Sequence, residues 1–197
     1  TTIVSRHLLR KEIEFCQTIA KLQIKNLRIA SISEIQKEPI HQLFYYRLSS
    51  PNTPRFQQYY LNKPIKLPNG QSMSSNQLFQ SQWIINGKTY RETLNDLIKT
   101  AKTLLNPQQS PLAVTIAHGD DHNGNKFLQN NKIIYFDPAF AGKAIPALLA
   151  NIKSTFHDIF AHPLWLYQPK IAEKNFEIDI KHHPKSKTIE INHDYQL

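Results

Sequence analysis

HGDDHNGNKFLQNNKIIYFDPAFAG, from His118 to Gly142, is the stretch on which the reading of this chain turns. An apolar run, Leu112-Ala113-Val114-Thr115-Ile116-Ala117, leads into it. Lys126 to Gln129 and Lys132 to Phe136 read as two short strands joined at Asn130-Asn131, because Asn tolerates the backbone that a tight turn demands. The second strand ends on Asp137. Such a hairpin would bring Asp120, Asn125 and Asp137 to one edge, where two carboxylates and an amide converge. Hard cations such as Mg²⁺ take oxygen ligands of this kind and keep several waters.

His-x-Asp-x-x-x-x-Asn followed by a strand ending in Asp is the layout of a phosphoryl-transfer catalytic loop and its metal-binding Asp. With His118-Gly119-Asp120 at its head, HGDDHNGN resembles the aminoglycoside phosphotransferase and choline kinase-like family, whose pattern is His-Gly-Asp-x-His-x-x-Asn. Asp137 with Gly142 fits that family's strand-ending Asp-x-x-x-x-Gly. The resemblance implies an α+β, mainly helical fold: a protein-kinase-like C-terminal lobe in which short β-hairpins carry the catalytic loop. It implies ATP and Mg²⁺ as cofactors and a small hydroxylated molecule as substrate. It makes Asp120 the catalytic base, Asn125 and Asp137 the metal ligands, and His118 and His122 supporting residues.

The chain has 197 residues, enough for one domain or one lobe with a real core. No apolar run reaches the length of a membrane span. The single Cys16 cannot form an internal disulfide, which points to a reducing cytoplasm, and its place on an apolar helix face reads as core packing. The net charge of +9 could steer an anionic ligand. No basic stripe interleaved with stacking aromatics and no nucleic-acid motif accompanies it, so a solvated basic surface is the simpler account.

Ser5 to Gln23 reads as an amphipathic helix with Leu8, Leu9, Ile13, Cys16 and Ile19 on one face. Ser31 or Ser33 could cap a second. Residues 51–90 read as a loop-rich insertion, broken by Pro51, Pro54, Pro64 and Pro68 and closed by a hairpin about Asn86-Gly87. Arg91 to Leu105 is the clearest helix and reads as a core helix; Asn106-Pro107 stops it. Beyond Gly142, the spacing of Ile145, Leu148, Leu149, Ile152, Phe156 and Phe160 predicts another helix, with Pro146 in its first turn and His157 and His162 near its negative end. Residues 171–197 suggest a terminal hairpin.

The resemblance has gaps. A complete enzyme of this family carries a strand-rich N-terminal lobe with a phosphate-covering loop and a Lys. No Gly precedes Gly70, and no such pattern precedes His118. The expectation is therefore a chain that is chiefly the large lobe, with the nucleotide-binding lobe missing or held as a partner. The stretch after Gly142 also lacks the acidic residue that many relatives place there, so either the loop anchoring or the substrate choice differs. Two other readings compete. One is a non-catalytic scaffold or binding module. The other is a metal-dependent hydrolase built on His118, Asp120 and His122, which would share one face of an extended segment. The second lacks a further nitrogen or sulfur donor, and Gly119 and Gly124 argue for a loop.

Overall fold

The apolar run ahead of His118 is a strand, β6 (Leu112–Ala117), and it is the middle strand of a three-stranded sheet. The computed structural model describes residues 2–49, 55–160 and 169–195. It divides into two compact units, Thr1–Leu43 with Pro107–Pro163 and Phe44–Asn106 with Leu164–Leu197.

In the first unit, α1 (Thr2–Lys25) leads to β1 (Arg28–Ala30), which pairs antiparallel with β6. On the other side of β6 lies β9 (Gly142–Pro146), also antiparallel, with an irregularity between Thr115 and Ala117. Two short helices, α2 (Ile32–Ile35) and α3 (Ile40–Leu43), follow β1. Ser31 caps α2 through a reciprocal box with Glu34. Ala30, Ile35, Val114 and Ala144 form the buried centre. Thr115 Oγ1 donates to the Gln23 carbonyl at 2.7 Å, a second bond to an oxygen in the last turn of α1 that also accepts the Asn26 N–H at 3.2 Å. The hairpin β7 (Lys126–Gln129) and β8 (Lys132–Tyr135) follows the predicted register, and Asn130 and Asn131 both have positive φ, as the turn requires.

The second unit holds a four-stranded sheet in the order β10-β11-β4-β5, made of β4 (Gln82–Ile85), β5 (Lys88–Tyr90), β10 (Ile178–His183) and β11 (Thr188–His193). β11 runs parallel to β4, and the remaining pairs are antiparallel. A ribbon of β2 (Pro64–Lys66) and β3 (Ser72–Ser74) lies in the same unit. Leu67, Met73 and Ile189 are its buried centre. Helices α4 (Tyr45–Ser49), α5 (Arg55–Tyr60), α6 (Ser75–Gln80), α7 (Leu94–Leu104) and α9 (Pro169–Asn175) complete it. Pro51 and Pro54 of the insertion, like His162, lie outside the described residues.

Several expectations are corrected. The resemblance implied a mainly helical, kinase-like lobe; the content is instead mixed, 44% helical and 27% strand, with several small sheets. The helix expected from Ile145 instead begins as β9, because Ala144, Ile145 and Pro146 are all buried; a short apolar run buried on both faces suits a strand, and α8 (Leu149–Thr155) starts only afterwards. A five-residue π-helix, Phe156–Phe160, continues α8. The stretch from Pro64 to Gln80 is ordered into β2, β3 and α6, since Leu67 and Met73 give it a core and a Ser74–Gln77 box caps α6, while the hairpin about Asn86-Gly87 forms as expected. α7 is capped by a Thr93–Asp96 box as a strong helix should be, yet none of its residues is buried and Leu104 is 74% exposed, so it is not a core helix. Cys16 is exposed on α1 rather than packed in the core, as are Leu8, Leu9 and Ile13. Among the described residues no helix is long and apolar enough to cross a membrane.

His41 of α3 carries a consequence for stability. Its ring is buried, with Nε2–H donating to the Ile35 carbonyl at 2.9 Å and no hydrogen-bond partner for Nδ1 among the described residues. Burial holds its pKa below the ordinary 6.5, against smaller opposing contributions from the Ile35 hydrogen bond and the Glu38 charge. The unfolded chain therefore takes up this proton before the folded one. The stability that neutral His41 supports is complete above about pH 6.5 and is lost as pH falls through the lower folded value. Urea unfolding of wild type between pH 7.5 and 5 should show this loss, and His41→Leu should show a shallower one; equal pH slopes would count against it.

Candidate active site

β6 delivers the chain into His118-Gly119-Asp120, and Gly119 turns it with φ +79°. No side chain fits there: a Cβ on Gly119 would run into the Phe140 carbonyl oxygen. His118 faces the hairpin, its Nε2–H donating to the Phe136 carbonyl at 2.9 Å and its ring stacked on Tyr135 at 4.6 Å. It ties the loop to the end of β8 and does not approach a reacting position.

Asp120, Asp121 and Asn125 are all buried. The Asn125 amide donates through Nδ2 to the backbone carbonyl of Asp120 at 2.8 Å, so the five-residue spacing closes on itself. The Asn125 N–H donates to the His122 carbonyl at 2.8 Å, which closes a 3₁₀ turn over Asn123–Asn125. The Phe136 N–H then donates to the Asn125 carbonyl at 3.1 Å and extends the hairpin ladder by one step. Asp137 follows this ladder step directly, in a left-handed conformation at φ 54°, ψ 64°. Such a backbone is uncommon for a side-chain-bearing residue and concentrates at functional sites.

Asp121 points the other way. Tyr135 donates its hydroxyl to Asp121 Oδ2 at 3.1 Å, while Phe15 of α1 meets the tyrosine ring edge-on at 4.9 Å. Burial, reinforced by the neighbouring Asp121 charge, pushes the Tyr135 phenol well above its ordinary range, so it stays a donor. Asp121 thus fixes the loop onto β8 and is not a solvent-facing carboxylate.

His122 folds back over Gly124, whose N–H donates to His122 Nδ1 at 3.1 Å; a Cβ at Gly124 would overlap the ring. The other nitrogen, Nε2, lies 3.6 Å from Asp120 Oδ1. Against this loop pack α8 and its π-helical extension. Lys153 Nζ forms an ion pair with Asp120 Oδ1, the His157 ring lies 4.6 Å from the His122 ring, and Asp158 Oδ1 accepts the Asn123 N–H at 2.9 Å. Burial, with the neighbouring His122 and Lys153 charges, holds His157 below the ordinary imidazole value. π-Helical turns are rare and recur at functional sites. Lys126 pairs with Glu12 of α1 at 2.9 Å and lies 3.9 Å from Asp158.

Lys153, Asp158, Glu12 and Glu38 are contributors that the sequence reading missed. The only local signal for Lys153 was its i, i+4 spacing to His157 beside an apolar stripe. Glu38 supplies the anchor expected from an acidic residue after Gly142. Its Oε1 accepts the Ala144 N–H at 2.7 Å, and its carboxylate fills the space over Gly142 where a Cβ would sit.

Two side-chain oxygens, on Asn125 and Asp137, are left unengaged among the described residues. The Asp137 carboxylate makes no hydrogen bond or ion pair among the described residues, and Asn125 uses its NH₂ on Asp120, which leaves its amide oxygen for another partner. Mg²⁺ needs no more from a protein when phosphate oxygens and waters complete its shell. The His118, Asp120 and His122 set behaves differently: His118 turns to Phe136, and among the described residues no three His, Cys, Asp or Glu side chains are grouped to hold a metal ion. No protein-family model, curated protein sequence or solved structure matches the chain.

Proposed function

We propose that this chain is an ATP- and Mg²⁺-dependent phosphotransferase of the aminoglycoside phosphotransferase and choline kinase-like type, or the catalytic lobe of one, moving the γ-phosphoryl group to a hydroxyl of a small molecule. The observation that carries the reading is the closed loop: Asn125 pinned to the Asp120 carbonyl, and Asp137 directly following the Phe136–Asn125 hydrogen bond. Phosphoryl transfer asks a protein for positioning and charge neutralisation more than for covalent help. Asp120, buried and fixed at the mouth of the loop, would accept the hydrogen bond of the acceptor hydroxyl and orient it. As the hydroxyl oxygen bonds to the γ-phosphorus, its proton passes to the Asp120 carboxylate. The bond to the β,γ-bridging oxygen breaks, and its electron pair leaves on ADP. Asn125 and Asp137 would hold Mg²⁺, which when bound neutralises charge on the phosphates. His118 holds the loop on β8, and His122 covers one side of Asp120. The cytoplasm suits this activity, since ATP is present there and Cys16 is unpaired.

The alternative, a non-catalytic binding module, draws on the Lys153 ammonium that already occupies Asp120. One experiment separates the two. The full chain is incubated with Mg²⁺-ATP and a panel of sugars, amino alcohols and aminoglycosides, and ADP release is followed alongside calorimetry of nucleotide binding. Acceptor-dependent ADP release that stops when EDTA removes Mg²⁺ is expected. Metal-independent binding, or none, with no acceptor stimulation would favour the module.

A further inference from the structure

We infer that Lys153 is a catalytic residue of this site: its ammonium holds the Asp120 carboxylate in the resting protein and moves onto the phosphoryl oxygens during transfer, an inference that rests on the phosphotransferase reading. Lys153 sits on α8, one helical turn before His157, and faces the catalytic loop. Its side chain is 17% exposed and that of Asp120 10%, so water screens the pair little. Lys153 Nζ is in direct contact with Asp120 Oδ1, and that oxygen takes no other hydrogen bond among the described residues. An ammonium with three rotatable donors on a flexible four-carbon stem can exchange this carboxylate for a second anionic partner.

The chemistry requires such a group. A proton-accepting carboxylate must stand close to a phosphoryl group of its own sign, and the repulsion opposes approach unless a cation lies between or beside them. The other cationic candidates around the loop are already engaged or neutral. Lys126 is taken by Glu12 and Asp158, and burial and nearby positive charges favour the neutral form of His157. His122 is engaged as well, its Nδ1 taking the Gly124 N–H. Among the described residues Lys153 is the fixed cation placed on Asp120. The closed hydrogen-bonded loop explains where Asp120 is; Lys153 explains how an ionised Asp120 can receive a phosphoryl group beside it.

A purely structural role would also pair Lys153 with Asp120, so the test must move something that stability does not. Lys153→Ala should lower kcat of acceptor-dependent ADP release by about 10²–10³-fold, the loss seen when one transition-state donor is removed. The Kd for Mg²⁺-ATP should stay within about threefold, because Asn125 and Asp137 are untouched. Methylamine or ethylamine added to Lys153→Ala should restore part of kcat saturably, and Lys153→Arg should retain more activity than Lys153→Ala. Lys153→Gln serves if the alanine variant does not fold. Near wild-type kcat in the variants overturns the inference while leaving the phosphotransferase reading intact. Loss of kcat without amine rescue, or unfolding of both neutral variants, assigns Lys153 to structure and overturns it too. An inactive wild type removes both readings together.

Discussion

Asp120→Asn should reduce kcat for acceptor-dependent ADP release by about 10³-fold, within the range expected when a positioned general base is lost. The substitution is nearly isosteric, and the loop geometry does not depend on the carboxylate. The Asp120 carbonyl, not its side chain, receives the Asn125 amide, and Phe136 ties back to Asn125 through backbone atoms. Affinity for Mg²⁺-ATP should therefore change little, since the proposed metal ligands stay in place. What the variant does lose is the partner of Lys153, whose ammonium is left beside a neutral amide in a largely dry site. That should lower stability by about 1–3 kcal/mol, toward the lower side of what breaking a buried ion pair costs. Steady-state rates, calorimetry and urea unfolding on the same preparation separate these effects. A variant that is stable, binds Mg²⁺-ATP and keeps wild-type kcat would falsify the role given to Asp120.

The parts of this site that could be read in advance are those held by near neighbours. Asp120 and Asn125 close on each other across five positions, and Asn130-Asn131 forces a turn through its own backbone preference. Asn86-Gly87 did the same for β4 and β5. Where a distant segment decides the outcome, the local pattern misled. Ile145 and Pro146 fit a helical spacing, yet β6 offers an open edge and the segment pairs with it as β9, Thr115 opposite Ile145. Tertiary pairing overrides a weak periodic signal of that length. Cys16, Leu8 and Leu9 share an apolar stripe that implied burial, but a stripe gives only the face a helix could bury, not what covers it. Glu38 bonds a backbone N–H 106 positions away, and Lys153 reaches a loop more than thirty residues earlier in the chain. No spacing rule reaches that far. The mixed helix and strand content follows from the same cause, because the small sheets of both units are stitched from strands far apart in sequence, as β1 with β6 and β4 with β11 are.

Gly119→Ala should be the most damaging small substitution in the first unit, costing roughly 2–5 kcal/mol from left-handed strain plus overpacking. Two separate terms act at this position. The backbone sits at φ +79°, where an L side chain is strained wherever it occurs. The added Cβ would also meet the Phe140 carbonyl oxygen and approach the Ile40 Cδ1 at 3.1 Å. A carbonyl oxygen cannot swing aside as a side-chain tip can, so the 3₁₀ turn Pro138–Phe140 must shift, and Asp137 at its cap with it. The expected result is therefore a loss of Mg²⁺-ATP affinity on top of the loss of stability. Gly70 supplies the control. It has nearly the same φ, +83°, but nothing within 4 Å of a Cβ, so Gly70→Ala carries the strain without the collision. Its cost should be about 1–2 kcal/mol, with nucleotide affinity unchanged. Urea unfolding of both variants isolates the collision as their difference. Equal losses would mean that the Phe140 turn yields freely, and that the loop holding Asp120 is not braced from that side.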